Sequence, residues 1–151
     1  VENAGIYDMV VLAGAWHRVF EEGFQDGVFE LIDQIATQFD TKLIILDSPT
    51  QLIPASVERA IFRPGTYPVV DHVKDEYARL FWRDLTERYA LSNNVLLLSR
   101  GQLFGKPDGN SVSDEKLPYS LDGSHISVYG SLKSYEYFRS NADDLGLLGA
   151  Q

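Results

Sequence analysis

Three short runs of consecutive apolar residues punctuate the chain. They are Met9-Val10-Val11-Leu12-Ala13, the Leu43-Ile44-Ile45-Leu46 core of "KLIILDSP" (42–49), and Val95-Leu96-Leu97-Leu98 in "NVLLLS" (94–99). Runs this short, apolar at odd and even positions alike, predict strands buried on both faces. The segments between them change period. Phe24, Val28, Leu31, Ile32, Ile35 and Phe39 recur at helical spacing, and so do Tyr77, Leu80, Phe81, Leu85 and Tyr89 within 75–91. In the second segment Asp75/Arg79 and Asp84/Arg88 sit four apart, as helix ion pairs do. Residues 50–74 hold Pro54, Pro64, Gly65 and Pro68, which predicts a long irregular loop with a short helix near 55–62. Residues 100–121 read as a glycine- and polar-rich loop. From Ser127, a plausible N-cap, Val128, Leu132, Tyr135 and Phe138 predict a last amphipathic helix.

Buried strands alternating with amphipathic helices predict an α/β fold, a three-layer α/β/α sandwich around a parallel sheet. The 151 residues suit one domain, 1–151. Active sites in such folds gather at the C-terminal ends of the strands. Three segments are expected there: "AGAWH" (13–17), "LDSPT" (46–50) and the loop that delivers "LDGSH" (121–125).

Composition removes several function classes. The formal net charge of −9 repels phosphate backbones, so no nucleic-acid partner is expected. The absence of cysteine excludes disulfides and thiolate metal sites. No run of about 18 apolar residues is present. No glycine-rich phosphate loop follows a strand, which argues against a flavodoxin-like or nucleotide-binding domain, and no cofactor is expected.

The string "SLDGSHISVYGS" (120–131) carries the most chemistry. A general-base histidine needs its Nδ1–H held by a carboxylate so that Nε2 is left to take a proton. Asp122 lies three residues before His125, across the small Gly123 and Ser124, and can reach that nitrogen on a tight turn. The plainer reading is an Asp-Gly turn with a surface histidine ahead of a helix. Of the other two histidines, His17 is expected to be solvent-facing or at a helix start. His72 falls in the proline-rich loop without a partner at ligand spacing, so no metal site is expected.

An Asp-x-x-His segment before the last helix of an α/β domain resembles the C-terminal motif of the SGNH hydrolase family. The fuller string is similar to SGNH domains fused to acyltransferase-3 membrane proteins, with Ile126 where those have Leu. "YDMVVLAGAW" (7–16) resembles their strand that ends in Trp, and "LIDQIATQFDTKLIILDSPTQLI" (31–53) their next helix, strand and proline-containing loop. The resemblance implies that Asp122 orients His125 and that His125 is the general base. It aligns Gly14-Ala15-Trp16-His17 with the family's Gly-x-Asn-Asp block, whose Asn binds the oxyanion. Here that position is Trp16. Its indole N–H is a donor that could face an oxyanion, or the ring could wall the acyl pocket beside Gly14. Two geometric expectations follow: Asp122 and His125 hydrogen-bonded at the C-terminal sheet edge, and Trp16 on that edge within a side-chain length of His125.

The family's nucleophilic serine lies in a Gly-Asp-Ser motif, which this chain lacks. Asp47-Ser48 imitates it, but Pro49 follows directly and no helix is expected to open there. Two accounts follow. Either strand-helix-strand and nucleophile lie upstream of Val1, so that 1–151 is the C-terminal portion of a larger domain of about two hundred residues, or the chain is a degenerate member that has lost its nucleophile. The first is the expectation favoured. The implied function is serine-dependent acyl transfer to or from carbohydrate hydroxyls, of the O-acetyltransferase or esterase type, with this chain alone inactive. The implied setting is the periplasmic side of a cell envelope, tethered through a membrane acyltransferase domain of the same protein. The alternative is a non-catalytic module that binds glycan or a protein partner, with Trp16, Trp82, Phe104, Tyr119 and Tyr129 as candidate stacking surfaces.

Overall fold

The computed structural model describes residues 7–38, 41–63, 65–104, 119–120 and 125–142. The described residues group into two compact units, one within 1–48 and 71–98, the other within 49–70 and 99–151.

The first unit holds the sheet. Strands β1 (Met9–Ala13), β2 (Lys42–Leu46) and β3 (Val95–Leu98) pair in parallel in the order β1-β2-β3. The register aligns Val10 with Leu43 and Leu12 with Ile45, and Leu43 and Ile45 in turn with Val95 and Leu97. Side chains alternate along a strand, so these six share one sheet face. Helices α1 (Trp16–Glu21), α2 (Gln25–Gln38) and α4 (His72–Tyr89) cover that face, joining Trp16, Ile32, Ile35, Phe81, Leu85 and Tyr89 to the strand residues in one core. Aromatic rings run through it. Phe81 lies 5.4 Å from Trp16 and 5.7 Å from Phe29 between ring centroids. Ile44 and Leu98 point to the other face and are also fully buried, whereas Val11 on β1 is half exposed. The expected parallel sheet flanked by helices is thus present.

Local chemistry sets the helix ends. Gly23 takes φ +73° in the turn between α1 and α2, a left-handed conformation that costs glycine nothing. Asp71 caps α4 by accepting from the Lys74 N–H, which places His72 in the first turn of that helix rather than in an irregular loop. The predicted Asp84/Arg88 pair does not form. Arg88 reaches across to Asp33 on α2 at 2.6 Å, and Asp84 takes Arg83 at 2.9 Å. The inter-helix partner offers Arg88 a ring as well, since its guanidinium lies 4.9 Å from the Phe29 centroid. Phe24, expected on the inward face, is exposed ahead of α2.

The second unit contains α3 (Pro54–Phe62), α5 (Arg100–Phe104) and α6 (Val128–Ser140). The short helix expected near 55–62 is α3, with Pro54 in its first turn as proline prefers. Antiparallel bridges Leu52–Val70 and Ser120–Ile126 tie its loops. The inward face of α6 differs from the periodicity reading. Val128, Leu132 and Tyr135 are exposed, and Gly130 and Ser134 are buried. The reason is close approach. A Cβ on Gly130 would stand 2.5 Å from the Tyr119 carbonyl oxygen, so only small residues fit that side of the helix and the larger ones turn outward.

Among the described residues no helix is long and apolar enough to cross a membrane.

Candidate active site

His125 stands at the entrance to α6, and its backbone is held from both sides. The Ser120 hydroxyl donates to the His125 carbonyl at 2.7 Å. The Ser127 N–H donates to the Tyr119 carbonyl at 2.8 Å. Ser127 is the predicted N-cap, its hydroxyl accepting from the Gly130 N–H at 3.0 Å. Residues 119–120 and 125–127 therefore form a small clasp, and the imidazole is exposed to solvent at its edge. Asp122, with Gly123 and Ser124, lies outside the described residues.

Below the clasp is a stack of rings. Phe104 and Tyr119 lie 4.6 Å apart with planes 12° from parallel, and Tyr119 and Tyr129 lie 5.5 Å apart. Phe104 and Tyr119 are buried, so of these three rings only Tyr129 retains surface for a ligand. The stack supports the clasp from beneath, and Gly130 lets α6 seat against it. A Gly130→Ala variant is expected to lose about 1–3 kcal/mol of stability, because the new methyl meets a backbone carbonyl that cannot rotate away. Urea denaturation of the two proteins measures it.

Gly14, Trp16, His17 and Ser48 belong to the first unit, and His125 to the second. Gly14 and Trp16 are brought together. The indole folds back over Gly14, where a Cβ would stand 2.8 Å from Cζ3 of the ring. The indole N–H donates to the Leu46 carbonyl at 2.7 Å. With that proton engaged and the ring against Phe81, Trp16 packs the interior beneath the ends of β1 and β2.

Ser48 is 3% exposed, and its hydroxyl has no hydrogen-bond partner. No helix opens at Ser48; the next helix begins at Pro54. Among the described residues the Ser48 hydroxyl has neither the accessibility nor the hydrogen-bonded base that a nucleophilic serine needs.

His17 lies at the start of α1, one of its two expected placements, but it is not solvent-facing: it is 3% exposed, and among the described residues its Nδ1 has no hydrogen-bond partner. Burial lowers its pKa below the usual histidine value of 6.5, and the positive charge of Lys74 lowers it further. Glu21 and Asp71 oppose this and Arg18 adds to it, all with smaller effects. The folded state thus binds this proton less readily than the unfolded chain. Stability from this group is complete above about pH 6.5 and is lost as the pH falls towards the lower folded-state value. A His17→Gln variant is expected to flatten the acid side of the stability profile, read from urea midpoints between neutral and mildly acidic pH.

Among the described residues no cluster of three or more histidine, cysteine, aspartate or glutamate side chains could hold a metal ion.

Comparison with protein-family models found no match, nor did comparison with curated proteins. Among solved structures, the chain is similar to one from Streptococcus pneumonia that carries the provisional name platelet activating factor, with a TM-score of 0.57 and 16% sequence identity. The match covers 91% of this chain and 59% of that one, so this chain spans about three-fifths of the solved structure's length. The likeness shows the fold: an α/β arrangement with a parallel sheet and flanking helices.

What sequence reasoning missed around His125 is the clasp. Nothing in the sequence singled out the Ser120 hydroxyl or the Tyr119 carbonyl for this role; the signal that could have found the close approach is Gly130, three residues after the Ser127 cap.

Proposed function

We propose that this chain is the base-bearing part of a serine-dependent acyl-transfer enzyme acting on carbohydrate hydroxyls. In this reading His125 is the general base and Asp122 holds its Nδ1–H. The serine nucleophile comes from residues outside the 151. The serine attacks the acyl donor and passes its proton to His125 Nε2. A sugar hydroxyl or water, deprotonated by the same nitrogen, then takes the acyl group. Trp16 enters as a packing residue rather than an oxyanion donor. The proposed setting is extracytoplasmic, in one protein with a membrane acyltransferase domain.

The observation that carries the proposal is the clasp. A solvent-exposed imidazole on a backbone fixed by Ser120, Tyr119 and Ser127 is pre-positioned for proton transfer, as a general base requires. The α/β fold shared with that solved structure and the sequence resemblance to SGNH hydrolases support it, because an esterase-type fold suits the chemistry. The burial of Phe104 and Tyr119 weighs against a glycan-binding module that relies on those rings. The test is acyl release and acyl transfer by the parent protein carrying the upstream segment, compared with its His125→Ala variant.

A further inference from the structure

The end of α3 exposes more apolar surface than a solvated helix needs. Phe62 is 82% exposed, Ile61 57% and Tyr67 56%. Single exposed apolar residues are ordinary, but a group at the tip of one element marks an interaction surface. The tip is a built structure rather than a frayed end. The Thr66 hydroxyl donates to the Arg63 carbonyl at 2.8 Å and contacts the Arg59 carbonyl at 3.2 Å, which folds the following segment back along the helix. Gly65 takes φ +81° at the turn. Farther along, Ile53 and Val69, both exposed, are joined by an Ile53 N–H to Val69 carbonyl bond.

The charge of this segment is opposite to that of the chain. Residues 50–70 carry Arg59 and Arg63 against Glu58 alone, in a protein of net charge −9. Both arginines are exposed and neither is in an ion pair among the described residues. An acidic protein that gathers unpaired cations and bulky apolar side chains at one tip has the two elements of interfacial membrane binding. Rings enter the headgroup–acyl boundary, and guanidinium groups meet the phosphates.

We propose that the α3 tip docks on an anionic phospholipid surface, with Ile61, Phe62 and Tyr67 in the interface and Arg59 and Arg63 on the headgroups. The proposal does not rest on the acyl-transfer reading.

The experiment is flotation of the chain with vesicles of mixed phosphatidylglycerol and phosphatidylcholine, against vesicles of phosphatidylcholine alone. The chain is expected to float with the anionic vesicles and to be released by salt. Phe62→Ser is expected to reduce binding about tenfold or more, from the lost burial of the ring. Arg59→Glu with Arg63→Glu is expected to abolish the preference for anionic lipid. Leu91→Ser, which removes an exposed leucine in the first unit, is expected to leave binding unchanged. Three results would each overturn the proposal: no flotation at low salt, equal losses in Leu91→Ser and Phe62→Ser, or a dimer in light scattering that Phe62→Ser dissolves without any vesicle binding. The last would assign the tip to a second copy of the chain. Phe62 is so exposed that its replacement does not threaten folding, which a melting curve checks.

Discussion

On the proposed acyl-transfer reading, replacing His125 by alanine in the parent protein is expected to lower turnover by about six orders of magnitude, the scale on which a serine triad loses its histidine base. The clasp makes this a clean substitution. Ser120 and Ser127 act on backbone atoms around position 125, and the carbonyl that Ser120 bonds remains when the side chain is cut back. The fold is therefore expected to survive, with an unchanged circular dichroism spectrum and melting temperature, while turnover on an aryl acetate collapses. The loss should appear in kcat rather than in KM, because the imidazole is needed to move a proton in the transition state and not to bind the ester. A variant that keeps most of its turnover would remove His125 from the chemistry.

The largest stability effect is expected at Phe81. This side chain is fully buried in α4, with its ring between those of Trp16 and Phe29, which ties α4 to α1 and α2 over the sheet. Phe81→Ala removes both ring contacts and leaves a cavity that three helices must close. About 3–5 kcal/mol is expected, a large share of the stability of a domain this size. In thermal unfolding this corresponds to a fall of roughly 10 °C or more. Leu91→Ala, at a position almost wholly exposed, is the control and is expected to stay within about 0.5 kcal/mol. Similar losses at the two positions would contradict the placement of Phe81 at the centre of the core.

The legible parts of the fold were those set by short-range periodicity. Met9–Ala13 was bounded correctly because a continuous apolar run followed by Gly14 has few other solutions. Residues 42–46 and 95–98 were found for the same reason. The proline-rich stretch yielded α3 because Pro54 favours a first helical turn. The readings that failed depend on contacts between distant segments. The outward turn of Val128, Leu132 and Tyr135 follows from how closely α6 approaches the Tyr119 carbonyl, which a hydrophobic pattern cannot encode. Arg88 left its expected helix partner for Asp33, 55 residues away. His17 is buried, although no neighbour in sequence offers its ring a partner. At the candidate site, the Asp-x-x-His spacing and the Ser127 cap were readable. The Ser120 bond that steadies His125 was not, because it joins residues across a loop through a backbone atom.

The central claim is that Asp122 acts through His125 as one base. The measurement that tests it most directly is a double-variant cycle in the parent protein: kcat for Asp122→Asn, for His125→Ala, and for the two combined. If the pair is one unit, the combined variant loses no more activity than His125→Ala alone, because an orienting carboxylate has nothing left to orient. Losses that multiply would show that Asp122 and His125 work independently, and would contradict the account.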